Sequence, residues 1–199
     1  MTKDEIIAGI YEYLTQKLPK EALIIMIEND IRVENFFAIH IGVYLKGLFN
    51  EKKIKNFEFQ KTIILDNPHR THIDIVFSDL NNEITYLELK HFSISQKRGQ
   101  GRSLSFYTSD SEAGKKVGII GDCEKLDNLR NRNEIVANSN LVCCALITPK
   151  PTIKEKQEME NRIKKYDLLK GWNLIYPIQF EKQNNDFGIL SIQKSANIK

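Results

Sequence analysis

The chain has 199 residues, of which 41% are hydrophobic, 28% charged and 9% aromatic, with 10 Gly and 5 Pro, the composition of an ordinary soluble globular protein. A single domain of this length buries roughly 70% of its unfolded surface, so it needs no disulfide staple or structural metal, and the small secreted scaffolds are excluded. The 29 Lys and Arg against 26 Asp and Glu leave +3, which excludes a histone-like protein that coats nucleic acid through bulk charge.

In chain order, Ile6, Ile7, Ile10, Tyr11 and Leu14 recur at helical spacing and Pro19 closes the element, which predicts a peripheral first helix over 3–18. A short apolar piece at 21–28 follows. Residues 34–50 then set Phe37, Ala38, Ile41, Leu45 and Leu48 on one stripe, a helix with a buried face. The character changes to strand at 57–65, 71–77 and 84–92, separated by turn chemistry at 66–69 and 78–83, and three strands so closely connected predict an antiparallel meander. Residues 93–121 are rich in Ser, Gly and basic residues with little periodicity and read as a long mobile loop. A helix is expected over about 122–137, and Leu141 to Thr148 is apolar enough for a strand buried on both faces. A highly charged helix at 152–170 and a late edge strand at 174–180, interrupted by Pro177, follow, and the tail from Gln183 is expected to be loosely held.

Cys123, Cys143 and Cys144 form no C-x-x-C pair, and adjacent cysteines on a strand point to opposite faces, so reduced thiols in a cytosolic protein are expected. The N-terminal segment is acidic and amphipathic, and no apolar run approaches the roughly 20 residues of a membrane span. The expectation is a cytoplasmic protein without a membrane partner.

The chemistry concentrates on two neighbouring strands. On 71–77, Ile73, Ile75 and Phe77 are expected to face one way and Asp74 the other; on 84–92, Glu88 and Lys90 share a face with an apolar back at Leu87 and Leu89. Pairing that buries the apolar side puts Asp74, Glu88 and Lys90 on one surface. Two carboxylates and an ammonium together are costly unless the charge is used, and a divalent cation would use it. Asp74, Glu88 and the main-chain carbonyl of Leu89 supply hard oxygen ligands. Lys90 would orient and help deprotonate the attacking water, or balance charge building on a phosphorane; both roles stay open.

With Asp74 on one strand and Glu88-Leu89-Lys90 on the next, the chain resembles the PD-(D/E)XK nuclease superfamily. Its element order from about 34 to 148 is similar too: helix, three strands, helix, buried strand. The resemblance implies an α/β fold (an α+β mixed sheet) with a restriction-endonuclease-like αβββαβ core, carrying here an extra N-terminal helix and a C-terminal helix and strand in a single nuclease-like domain over 1–199. It implies metal-dependent phosphodiester hydrolysis, usually of DNA, with Mg2+ as cofactor and Mn2+ as substitute, and a further carboxylate from the first core helix, where Glu34 fits. Ile73 stands where the family pattern has Pro, and Gln96 and Gln100 lack the Tyr of a Gln-x-x-x-Tyr element, which argues against those exonuclease branches. Glu51-Lys52-Lys53 repeats the acid-x-Lys pattern without an Asp-bearing partner strand and serves as an internal control.

Other candidates are weaker. Glu34 is also an acidic residue favoured in a first helical turn. His69 and His72 have H-x-x-H spacing, but on an extended segment the side chains diverge and zinc is disfavoured. His72 shares the expected Asp74 face, whereas His91 points away from Lys90. Arg70, Lys97, Arg98, Arg102, Lys115 and Lys116 are candidate phosphate contacts, and Phe106 and Tyr107 candidate stacking residues; solvated loop and packing roles compete with these. The function expected is a DNA endonuclease of restriction or anti-phage defence type, with a non-catalytic nucleic-acid-binding or assembly subunit as the alternative. The charged helix 152–170 fits a homodimer or partner-subunit contact as well as it fits solvent.

Overall fold

The computed structural model describes residues 1–28, 33–65, 70–97, 101–104, 118–148, 150–164, 171–175 and 187–196. Helix α1 (Lys3–Lys17) starts at a capping box in which the Thr2 N–H donates to Glu5 Oε2 at 2.7 Å and the Glu5 N–H donates to Thr2 Oγ1 at 3.4 Å. Helices α2 (Lys20–Glu28) and α3 (Val33–Asn50) follow, and Phe37, Ile41 and Leu45 of α3 are fully buried, as the stripe predicts.

Strands β1 (Asn56–Ile64), β2 (Arg70–Ser78) and β3 (Ile84–Lys97) form the expected antiparallel meander. The β2–β3 turn is held by Asp79, whose buried carboxylate accepts the N–H groups of Asn81 and Glu83 at 2.8 and 2.9 Å while Asn82 takes φ +66°. Strand β4 (Gly101–Leu104) folds back on the far end of β3. Helix α4 (Gly118–Asn131) leads to β5 (Asn140–Thr148), which runs parallel to β3 and is buried along its whole length. Helix α5 (Ile153–Lys164) precedes β6 (Asn173–Ile175) and β7 (Gly188–Lys194).

Among the described residues the mixed α+β sheet has the order β1-β2-β3-β5-β7-β6, with β4 paired only to β3. Two apolar cores fill its faces. Ile75, Phe77, Leu87, Leu89, Cys144 and Leu146 pack with α1 and α3, while Val76, Tyr86, Cys143, Ala145 and Ile147 pack with Ile119, Ile120, Cys123 and Leu126 of α4. Burial of roughly 25 cal/mol per Å² of apolar surface on both sides makes this central part of the sheet the most strongly held.

Several expectations are corrected. The segment 93–121 is not a single loop: β3 continues to Lys97 and β4 pairs with it, a polar hairpin whose Ser and Gln content hides its strand character. Helix α4 starts at Gly118 rather than Asp122 and ends at Asn131 rather than Ala137. Asn133 at φ +59° and the Glu134 N–H to Leu129 carbonyl bond of 2.9 Å terminate it. The described part of the tail, 187–196, is not loosely held, since 188–194 form a buried strand between β5 and β6. Residues 165–170 and 176–180, expected as helix and strand, lie outside the described residues; the described part of the late strand, β6, is at the sheet edge as expected. Ile73 does not share a core with Ile75: it packs in the α4-side core with Val76 and Tyr86, because the strand is distorted at Asp74.

Candidate active site

The β2–β3 ladder runs from Ser78↔Ile84 to Ile75↔Leu87 and stops there. One step further would set Asp74 opposite Glu88. Instead the strands part, and the Leu89 N–H donates to Asp74 Oδ2 at 2.8 Å. Two residues along, the His91 N–H donates to Glu34 Oε1 at 3.1 Å. The β3 edge that β2 vacates is therefore taken up by two carboxylates, one from β2 and one from the first turn of α3, because buried backbone donors require partners. In an antiparallel strand the N–H and C=O of one residue point to the same edge, so the Leu89 carbonyl opens into this fork too.

The distortion has a local cause. Gln60 on β1 adopts φ +47°, and the Cα pairing that joins Phe59↔Ile75 and Lys61↔Ile73 skips Gln60 and Asp74. The Gln60 Nε2 donates to Asp74 Oδ1 at 2.9 Å, so the Asp74 carboxylate is held from both neighbouring strands.

Glu88 projects to the α4 face and is only 3% exposed. Burial pushes its carboxyl up from the usual range to about 8; the Lys125 ammonium opposes the shift, and Asp74 and Asp122 add to it. The Lys125 Nζ lies 2.6 Å from Glu88 Oε1 and donates to the His72 carbonyl at 3.0 Å. Lys90 Nζ lies 3.4 Å from Asp122 Oδ2. Burial alone would lower the Lys90 pKa, but Asp122, Glu34 and Glu88 outweigh it and hold the ammonium charged above its usual value. Asp122 is raised to about 6, by burial first, with Lys90 and Lys125 pulling the other way.

Thus Glu34, Asp74, Glu88, Leu89 and Lys90, singled out from the sequence, are brought to one fork. Asp122, Lys125 and Gln60 were missed. Asp122 and Lys125 stand one turn apart on the same face of α4, an i, i+3 pair that the sequence displays but that means nothing until the helix is laid over Glu88 and Lys90. Arg70 is exposed at the start of β2. Lys97 and Arg102 belong to the backbone of the β3–β4 hairpin; Arg98, His69, Phe106, Tyr107, Lys115 and Lys116 lie outside the described residues. His72 is exposed with its Nδ1 3.2 Å from Thr62 Oγ1, and the half-buried His91 ring meets Thr148 Oγ1 at 2.7 Å. The control triplet behaves as a solvated turn, with Lys52 at φ +56° and an exposed Lys53–Glu51 pair.

In charge, the site sets four carboxylates (Glu34, Asp74, Glu88, Asp122) against two ammonium groups (Lys90, Lys125). Among the described residues no three His, Cys, Asp or Glu side chains are clustered closely enough to hold a metal by themselves. The oxygens at hand for a hard cation are those of Asp74 and Glu88 and the Leu89 carbonyl. An apolar groove of about 820 Å³ between α3 and β1 is lined by Ile39, Val43, Phe57 and Phe59, and also by Gln60, whose amide is bonded to Asp74. No family model, curated protein or solved structure matches the chain. Among the described residues no helix is long and apolar enough to cross a membrane, and the three cysteines are free and buried.

Proposed function

We propose that the chain is a divalent-cation-dependent phosphodiesterase acting on DNA, an endonuclease of restriction or anti-phage defence type working in the cytoplasm, on a restriction-endonuclease-like core made of α3, β1, β2, β3, α4 and β5. The observation that carries this reading is the fork itself: Asp74 bonded to the Leu89 N–H beside the buried Glu88, with Lys90 next to it. The order of these elements and the parallel β3–β5 pairing support it, and the free thiols suit a reducing compartment.

Asp74, Glu88 and the Leu89 carbonyl would hold Mg2+ or Mn2+, hard cations that select oxygen donors of this kind. The ion supplies Lewis-acid polarisation of the phosphate. Lys90 donates to the attacking water or to the phosphoryl oxygens, and Asp122 keeps its ammonium charged and aimed. Glu34 braces the β3 edge through His91.

A second reading, a non-catalytic nucleic-acid-binding or assembly subunit on the same scaffold, is favoured by the two lysines that already lie against Glu88 and Asp122. One assay separates the two. Purified full-length protein should nick or cut plasmid and oligonucleotide DNA with Mg2+ or Mn2+, lose this with EDTA, and bind Ca2+ without efficient turnover. Asp74→Asn, Glu88→Gln and Lys90→Met should each lower the rate by about 100-fold or more with the fold retained. Wild-type protein that binds DNA but never cleaves it, with either metal, selects the second reading.

A further inference from the structure

Lys125 sits on α4 with its Nζ 2.6 Å from Glu88 Oε1 and 3.0 Å from the main-chain oxygen of His72. It therefore bridges β3 and β2 across the place where their pairing has failed. A carboxylate oxygen and a backbone carbonyl are also the donor types that a hard cation selects. Once ionised, a carboxyl as buried as Glu88 needs a positive partner, since removing charge from water is costly unless it is compensated. Yet the contact is close without being aligned as a hydrogen bond, and Lys125 keeps 30% of its side chain exposed on a flexible stem that can swing to solvent. Lys90, by contrast, has its ion pair with Asp122 at 3.4 Å and meets Glu88 only through longer-range charge.

We infer that Lys125 is a resident counter-cation on Glu88, which a divalent cation displaces on entering the fork, so that ammonium and metal alternate on one buried carboxylate. The inference rests on the metal-dependent reading above. It assigns Lys125 a positioning role: in the metal-free protein it keeps Glu88 in place and β2 tied to β3, and on displacement its charge is released toward the open side of the fork, where an incoming phosphodiester carries the complementary charge.

The test is the affinity of the metal-free full-length protein for Mn2+ by calorimetry. Lys125→Met should bind about tenfold more tightly than wild type, equivalent to about 1.4 kcal/mol, because the competing ammonium is gone. Lys125→Arg, which keeps a competitor, should bind no more tightly than wild type. Lys90→Met should stay within about threefold, which separates displacement from a general loss of positive charge. Should Lys125→Met fail to fold, ¹⁵N-lysine NMR of the wild type gives the same answer: Mg2+ should move the Lys125 ammonium signal to that of a solvent-exchanging lysine. Equal or weaker Mn2+ binding by a folded Lys125→Met, or a Lys125 signal unmoved at saturating Mg2+, overturns the displacement and leaves the metal site standing. Absence of Mn2+ binding in wild type and variants alike overturns the metal site and the displacement together.

Discussion

Glu88 concentrates the energetic tension of the molecule. Its carboxyl, raised to about 8 by burial and by Asp74 and Asp122, holds a proton in the folded chain that the unfolded chain releases near 4.5. The folded state therefore binds more protons between those values. That contribution to stability is fully present below about 4.5 and lost as pH rises through about 8, with a slope of up to about 1.4 kcal/mol per pH unit. Asp122 adds the same sign over a lower window that ends near 6. In EDTA, the urea midpoint of the wild type should fall between pH 5 and pH 8 (about 3 units, on the sensitive limb of the linkage relation), and Glu88→Gln should flatten the profile. Mg2+ should restore stability most at the alkaline end, where the carboxylate is free to bind it. A wild-type profile that matches Glu88→Gln would show that the buried carboxyl titrates normally.

Among the elements, the β3–β4 hairpin is the one that departs most from expectation. A polar run such as Ser93 to Lys97 carries little strand signal in its sequence; its backbone continues β3 and pairs with β4. Lys97 and Arg102 stand close to its tip, with Arg98 between them in sequence. Changing these three to Ala should weaken DNA binding and reduce the slope of log K against log salt by up to about 3, since fewer counterions are released. Mn2+ affinity should not change. An unaltered slope would move the DNA path to other surfaces around the fork, with Arg70 and the start of α3 the next to be tested.

At the scale of the whole molecule, one carboxylate adds to the sheet pairing and packing that hold the C-terminal strands. Asp127 of α4 accepts from the Trp172 Nε1 at 2.8 Å, from the Lys194 Nζ at 2.8 and 3.0 Å, and from Arg130 at 3.3 Å. Arg130, buried itself, also donates to the Ser139 carbonyl at 3.4 Å. Through these bonds α4 is joined to the segment before β6 and to the end of β7, and β7 completes the second edge of the buried strand β5. Asp127→Ala should cost about 3 kcal/mol, as removal of one partner from a largely buried ion cluster does. Unfolding by urea should report the loss, and the fluorescence of Trp172, the single tryptophan, should shift to the red in the variant. A change of less than about 1 kcal/mol would mean that packing alone holds β7.

The sequence by itself determined the parts that periodicity encodes: the buried stripe of α3, the meander of β1 to β3, the doubly buried β5, and the grouping of Asp74, Glu88 and Lys90. Each follows from local spacing, where an apolar face must find a core. The tertiary structure alone decided the rest. Gln60 at φ +47° and the parting of β2 from β3 create the fork, a break in the ladders of neighbouring strands that the alternation of side chains does not signal. Asp122 and Lys125 enter the site only once α4 is laid across the sheet, and β7 becomes an interior strand only because β5 has an edge to fill. Local pattern carries no information about which unpaired edge or buried carboxylate a distant segment will satisfy; that is settled by the cost of leaving buried polar groups without partners.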